Sequence, residues 1–327
     1  MAQRATTIEG TLVRRRPELR RAGWLEREGI LGWVLSLPAI IILGTFIVWP
    51  FFVGIWLSVT DETVRRAGQF VGLENFIYNA ESQIFQITVR NTLVYTVVTL
   101  VFKASLGLLL AILMNQSIRG KNWIRAALLL PWIVPTALST IAWKWLFEPK
   151  YSVFNWVLVN TGVAGALAPT EIGRLLALKP DGINFLGDGT WAMISIMIAN
   201  IWRGVPFFAI SLLAALMTIS QEQYEAAAID GANAWQRFVH ITLPLVQPVL
   251  LVVVLFSLIW TISDFQLTYI LTGGGPANST HLFSTLAYQI ALRAGNLSEG
   301  AAVSLFMFPI LFVIVAGLLW YMRRQEV

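Results

Sequence analysis

Six long segments of the chain are almost free of charged residues, and polar loops separate them. They cover approximately residues 31–58, 88–114, 122–146, 190–217, 242–264 and 300–322. A helix needs about 20 apolar residues to cross the hydrocarbon core of a bilayer. An isolated strand would leave its backbone polar groups unpaired in lipid. The sequence therefore predicts an all-α membrane protein with six transmembrane helices.

Composition agrees with this prediction, because 57% of the residues are hydrophobic and 13% are charged, against about 25% charged in a typical soluble domain. The chain contains no cysteine, which excludes a disulfide framework, a thiolate metal site and a catalytic thiol. The net charge of +5 does not indicate nucleic-acid binding, because the basic residues gather before the first apolar segment. This cluster consists of Arg4, Arg14, Arg15, Arg16, Arg20, Arg21 and Arg27.

Such a cluster predicts that the amino terminus lies in the cytoplasm. Six spans then place the carboxyl terminus, the 115–121 turn and the polar segment 220–241 on the same side. We expect a basic cytoplasmic segment (1–30), a six-helix transmembrane domain (31–322) and a short cytoplasmic tail (323–327). The loops near 59–87, 147–189 and 265–299 fall on the opposite side, and residues 151–161 favour a short surface helix there. An uncleaved first span is expected, because it is too long for a signal peptide.

The polar segment between the fourth and fifth spans has a specific spacing. Glu225-Ala226-Ala227 is followed after three residues by Gly231, and after nine more by Ile241-Thr242-Leu243-Pro244. Ser220 with Gln223 is typical of a capping box that starts a helix, and Gly231 permits a sharp turn. A second short helix would carry Trp235, Phe238 and Val239. Without the full spacing, an ordinary amphipathic connector between spans would be the better explanation of the segment.

This spacing resembles the EAA loop of membrane subunits in binding-protein-dependent ABC importers, which have the type I importer permease fold. In that family the loop docks on the ATP-hydrolysing subunit. The resemblance implies an ATPase-coupling role for Glu225, Ala226, Ala227, Asp230 and Gly231.

Four further motifs extend the resemblance over residues 33–322. They are Phe70-Val71-Gly72-Leu73-Glu74-Asn75-Phe76, Leu130-Pro131-Trp132-Ile133-Val134-Pro135, Trp202-Arg203 with Pro206-Phe207, and Leu271-Thr272-Gly273-Gly274-Gly275-Pro276. The last three are similar to the carbohydrate branch, as in maltose and glycerol-3-phosphate permeases. The extra amino-terminal helices and large periplasmic domain of one maltose permease have no counterpart here, so maltose itself is not implied.

The resemblance implies a heteromeric sugar importer in a prokaryotic inner membrane. Its expected partners are a homologous second permease, two ATP-binding subunits, an extracytoplasmic solute-binding protein and the lipid bilayer. ATP and Mg²⁺ would bind to the ATPase subunits, and no cofactor is expected on this chain.

The residues themselves give little support for an enzyme. Gly120-Lys121 lacks the first glycine and the Ser or Thr of a phosphate-binding loop, and Gly273-Gly274-Gly275-Pro276 indicates a turn. His240 and His281 are far apart in sequence, so no metal site is predicted. The chain is therefore expected not to be catalytic by itself.

Charges inside apolar spans are costly and need an explanation. Lys144 lies near a span end and is expected to extend towards the interface, while Lys103 is expected to pair with a neighbouring helix. Arg203 and Asp264 either pair with each other or line a solute cavity. Aromatic neighbours would offer surfaces for sugar rings, so the candidate pathway residues are Trp202, Arg203, Phe207, Asp264 and Phe265.

Other functions stay open at this point. The importer would carry a non-sugar solute in one alternative, and in another the chain would be a channel or secondary transporter driven by an ion gradient. That second class typically has buried carboxylates, and Asp264 is the one acidic candidate in the spans. An integral-membrane enzyme would need clustered catalytic groups. The sequence leaves the solute itself undetermined.

Overall fold

The computed structural model describes residues 28–116, 120–150 and 152–325 and divides into two units, with the boundary after Val53. The basic cluster predicted to set the topology lies outside the described residues. In the first unit, α1 (Glu28–Leu43) leads into a π-helical turn (Gly44–Val48), and α2 (Trp49–Ser58) continues into the second unit. No side chain from Leu31 to Val53 is buried, although the helical stretch Leu31–Ser58 has a mean hydropathy of 2.3.

The second unit is also helical. Its helices are α3 (Glu74–Glu81), α4 (Gln83–Asn115), α5 (Lys121–Ile133), α6 (Thr136–Phe147), α7 (Val153–Asn160), α8 (Val163–Leu167), α9 (Glu171–Leu175), α10 (Gly189–Leu216), α11 (Gln221–Ile229), α12 (Ala234–Arg237), α13 (Leu243–Ile262), α14 (Gln266–Leu271), α15 (Phe283–Tyr288) and α16 (Leu297–Gln325). Two π-helical turns, Phe238–Thr242 and Gln289–Arg293, continue α12 and α15. Helix α7 confirms the short helix expected at residues 151–161.

Five helical stretches are long and apolar enough to span a membrane, and the bent pair α5–α6 brings the number to six within the part of the chain that the structure describes. The third predicted segment is therefore helical but not continuous, since α5 and α6 meet at 93°. Pro135 causes the break, because it disfavours a helical conformation in the residue before it. Val134 accordingly takes an extended ψ of 129°.

Helix α10 is the most buried of the candidate spans and packs against α4, α5 and α13. Asp188 caps its start by accepting hydrogen bonds from the backbone N–H groups of Thr190 and Trp191, both at 3.0 Å. Gly107 of α4 allows a close approach, because an added Cβ would overlap Phe208 of α10. The centre of the fold is thus a tight α4–α10 contact with α13 beside it.

The loops divide between the two ends of the helices, as the alternation of spans predicts. At one end, Ser298 Oγ accepts a hydrogen bond from the backbone N–H of Glu62 at 2.7 Å. Asn91 donates to the carbonyl of Ser279 at 2.7 Å, which ties α4 to the loop before α15. At the other end, Asn115, Gln116, Gln221 and Tyr224 line one pocket. The segment after α4 and the α11 segment therefore lie at the same end.

Candidate functional sites: a coupling helix and a polar cleft

The predicted coupling residues lie on α11 and in the turn that follows it. Glu225, Ala226, Asp230 and Gly231 are exposed, and Ala227 is half-buried. Gly231 has φ of +82°, and no atom lies within 4 Å of a Cβ built on it. Its backbone therefore faces open space and has a conformation that residues other than glycine rarely adopt.

Local hydrogen bonds hold this segment in a helix–turn–helix shape. Ser220 caps α11 as expected, but its hydroxyl accepts from the N–H of Glu222 at 3.2 Å, so the predicted capping box with Gln223 is not the one formed. The reciprocal box is made by Asn233 and Gln236, with distances of 2.8 Å and 2.9 Å. Asn233 offers a side-chain oxygen in the position that best caps the short α12.

Two large apolar side chains stand out from this segment. Ile229 is 87% exposed and Trp235 is 70% exposed, whereas soluble surfaces usually carry such residues singly. Tyr224 links the segment to the base of α13, since its hydroxyl lies 2.9 Å from Oγ1 of the buried Thr242. The exposed segment is thus hydrogen-bonded to the start of α13, a helix of 20 residues.

A polar cleft lies between α4, α5, α10 and α13 and shares no lining residue with α11. Its polar lining consists of Lys103, Asn200, Arg203, Ser257, Thr261 and Asp264, and its aromatic lining consists of Trp132, Phe207 and Trp260. Trp132 and Trp260 remain 39% and 47% exposed, so the cleft opens at the surface of the chain. The aromatic rings are mutually close, with the Trp132 and Phe207 centroids 5.2 Å apart and stacked.

Asp264 occupies one side of this cleft and is fully engaged by neutral donors. Its Oδ2 accepts hydrogen bonds from the hydroxyl of Tyr95 and the amide of Asn200, each at 2.9 Å. Its Oδ1 accepts from the backbone N–H of Leu267 at 3.3 Å. The Arg203–Asp264 ion pair considered from sequence is not formed among the described residues.

Lys103 reaches the same cleft from α4. Its ammonium group donates to Oγ1 of Thr261 at 2.9 Å, and Thr261 in turn donates to the carbonyl of Ser257 at 2.6 Å. The lysine stem fits against Gly204, because an added Cβ there would lie 2.6 Å from the lysine Cδ. Lys103 therefore packs against α10 and bonds to α13, as the expected pairing with a neighbouring helix requires.

The five candidate pathway residues do not form one site. Arg203, Phe207 and Asp264 line the polar cleft. Trp202 instead lines an apolar groove on another side of α10, edge to face with Trp143 at 5.6 Å. Phe265 stacks on Tyr269 with centroids 5.0 Å apart.

Sequence reasoning missed Asn200, Thr261 and Trp260 as members of the cleft, and Tyr95 as a hydrogen-bond donor to Asp264. The hydroxyl and amide side chains among them do not indicate a site by themselves, since such groups are common where helices pack in membranes. A signal was nevertheless present at Asp264, because a carboxylate in a span requires donors from neighbouring helices.

A family model described as a binding-protein-dependent transport system inner membrane component matches residues 103–324. This chain belongs to that family. The permease is 34% identical to the trehalose/maltose transport system permease protein MalF of Thermococcus litoralis, over 88% of this chain and 93% of the relative. It is 30% identical to the sulfoquinovosyl glycerol transport system permease protein SmoG of Agrobacterium fabrum, over 93% of this chain and 94% of the relative.

Solved structures agree on the fold. A chain of a bacterial ABC transporter involved in the import of the acidic polysaccharide alginate superposes with a TM-score of 0.76 at 24% identity, covering 92% of this chain and 97% of the other. The architecture is therefore that of a type I ABC importer permease. The permease is a multi-pass protein of the inner membrane and a transport subunit rather than an enzyme.

Proposed function

We propose that the permease forms half of the translocation pathway of an ATP-driven importer for a sugar or sugar-like solute. A homologous second permease would form the other half. Two ATPase subunits, which bind ATP and Mg²⁺, would dock on α11 at the cytoplasmic end, and a solute-binding protein would deliver solute at the opposite end. The exposed α11–Gly231 turn is the observation that carries this proposal.

The surface of α11 suits a protein partner. Small alanine side chains let another backbone approach closely, and Ile229 and Trp235 provide the large apolar contacts that typically dominate binding energy. Because Tyr224 joins α11 to Thr242, a displacement of the docked helix would reach the base of α13. The other end of α13 carries Thr261 of the cleft and is followed by Asp264. Closure of the ATPase dimer would in this way open the solute pathway.

The cleft suits a hydroxyl-rich solute. Trp132, Phe207 and Trp260 offer flat faces for the apolar sides of sugar rings, and the polar groups across the cleft offer hydrogen bonds. Small-molecule sites usually combine apolar walls with a few placed polar groups and enclose several hundred Å³. The cleft of this chain encloses about 30 Å³, so it would supply one wall of a larger site that the second permease completes. Relatives named for trehalose/maltose and for diacetylchitobiose support saccharides as the solute class. Arg203, Phe207 and Asp264 are the proposed contacts.

The proposal is tested on the complete transporter in liposomes. Trehalose, maltose, diacetylchitobiose and sulfoquinovosyl glycerol are offered with the binding protein, and ATP hydrolysis and uptake are measured. We expect uptake to require ATP at the α11 side. The Glu225→Lys variant should assemble but lose solute-stimulated hydrolysis, since the reversed charge lies on the docking helix. Glu171→Lys, an exposed charge reversal in α9 at the opposite end, is the matched control and should behave as wild type.

A second pair of variants separates backbone strain from side-chain bulk. Asparagine tolerates positive φ far better than valine, so Gly231→Asn should retain more coupling than Gly231→Val. Equal and full coupling in Glu225→Lys and Gly231→Val would overturn the assignment of this segment. Uptake without ATP, driven by an ion gradient, would instead support the secondary-transporter alternative.

A further inference from the structure

The polar cleft contains more positive than negative charge. Two cations, Lys103 and Arg203, and one carboxylate, Asp264, line it. Lys103 is 3% exposed, and its one hydrogen bond within the described ranges goes to a neutral hydroxyl. A buried ammonium group has three donors, so two of them are left without a protein acceptor.

Arg203 is the second cation of the cleft, and its guanidinium also has no acidic partner in direct contact. It is half-buried in the wall of the cleft, and no ion pair or hydrogen bond of its guanidinium occurs in the part of the chain that the structure describes. Asp264, the carboxylate of the cleft, makes its side-chain hydrogen bonds with Tyr95 and Asn200 rather than with Arg203. Lys103 and Arg203 share the single carboxylate of the cleft, so one positive charge has no counter-charge there, and an uncompensated charge in a membrane-embedded site is expensive.

The cleft also contains an unused acceptor. Asn200 is 6% exposed, and its Oδ1 has no hydrogen-bond partner among the described residues although its amide nitrogen is bound to Asp264. Buried polar atoms are nearly always paired. An orphaned acceptor in a cleft that has one surplus positive charge is the arrangement expected of a site that is completed by a ligand with both hydroxyl and anionic groups.

We propose that this cleft selects solutes that carry an acidic group, such as a carboxylate, sulfonate or phosphate on a sugar. The acidic group would lie against Lys103 and Arg203, a hydroxyl would donate to Oδ1 of Asn200, and the sugar ring would pack against the aromatic wall. Asp264 repels the acidic group from its own side and so orients the solute. This inference rests on the proposed importer function and narrows its substrate class.

The test uses charged thiol reagents and does not require the true solute. Because the chain has no cysteine, Trp260→Cys places a single thiol of this chain in the cleft. Labelling rates are measured in the assembled complex with anionic sulfonatoethyl methanethiosulfonate and with cationic trimethylammonium-ethyl methanethiosulfonate. Each rate is divided by that of the same reagent with a free thiol in solution. Ser263→Cys is the matched control, since Ser263 is exposed at the same end of α13 but does not line the cleft.

At low salt, we expect the anion-to-cation ratio at position 260 to exceed that at position 263 about fivefold, as one uncompensated charge several ångströms away in a solvated site produces. Adding Lys103→Met or Arg203→Met should lower the ratio at position 260 by a similar factor. Adding Asp264→Asn should raise it. Gel filtration shows whether each variant assembles. If the Lys103→Met variant does not assemble, the Arg203→Met variant tests the inference, because Arg203 is only half-buried.

Equal ratios at the two positions, or a ratio that neither methionine variant lowers, would overturn the inference. Absence of labelling at position 260 with both reagents would also overturn it, because the cleft would then be closed to small solutes. If the cleft shows no anion preference but uptake still depends on ATP, this inference fails and the proposed function stands. If the cleft prefers anions but uptake does not depend on ATP, the proposed function fails and the anion preference stands.

Discussion

The hydroxyl of Tyr95 donates a 2.9 Å hydrogen bond to Oδ2 of Asp264, and 169 residues separate the two in sequence. Tyr95 is fully buried on α4, and Asp264 follows the end of α13. Because Asn200 of α10 donates to the same oxygen, the carboxylate joins three of the long helices at one point. The wall of the cleft is therefore also a structural junction.

Tyr95→Phe is expected to destabilise the permease. The substitution removes one of the donors to a buried carboxylate, which typically costs about 1–3 kcal/mol. The unfolding temperature of the detergent-purified complex should fall. Tyr78→Phe, at a tyrosine that is 65% exposed on α3, is the control and should leave the temperature unchanged. An unchanged unfolding temperature in Tyr95→Phe would show that the junction does not contribute to stability.

Gly107→Ala is expected to separate α4 from α10. An added Cβ would overlap Phe208 and lie 3.2 Å from the backbone nitrogen of Ala209, and overpacking of this kind costs about 1–3 kcal/mol. Lower yield and a lower unfolding temperature should result. In Gly317→Ala on α16, no atom lies within 4 Å of the new Cβ, so this control should be neutral or slightly stabilising, since alanine favours helix. The reverse order of stability would contradict the packing argument.

His281 is expected to make stability depend on pH. Its side chain is 1% exposed, and burial lowers its pKa, although a hydrogen bond with Gln289 partly opposes this. Below the ordinary histidine pKa of about 6.5, His281 binds a proton in the unfolded chain but stays neutral in the folded chain. Stability is therefore retained above this pH and lost as the pH falls towards the lower pKa of the folded state.

The measurement is the unfolding temperature of the complex between pH 7.5 and 5.5. The wild type should lose stability towards pH 5.5, and His281→Gln should show a shallower dependence because the titrating group is gone. The exposed His240 is the other histidine of the chain, so His240→Gln should keep the wild-type dependence. If His240→Gln alone flattened the curve, the assignment to His281 would be wrong.

Local features of the chain were predictable because local chemistry decides them. Apolar length gave the six spans, and the motif spacing gave the family. Gly231 was expected at a turn and has the positive φ that only glycine adopts readily. Pro135 was a local signal for the break between α5 and α6, but a run of apolar residues says nothing about the direction in which a helix continues.

The sequence by itself determined that this protein is helical, spans a membrane and carries an EAA-like segment between two spans, since each property depends on residues close together in the chain. Only the tertiary structure decided the fate of the charges in the spans. It gave Asp264 to Tyr95 and Asn200, bonded Lys103 to Thr261, left Arg203 in the cleft and turned Trp202 away from it. Those outcomes depend on how α4, α10 and α13 pack, because a buried charge is satisfied by whichever groups other helices bring within hydrogen-bonding distance.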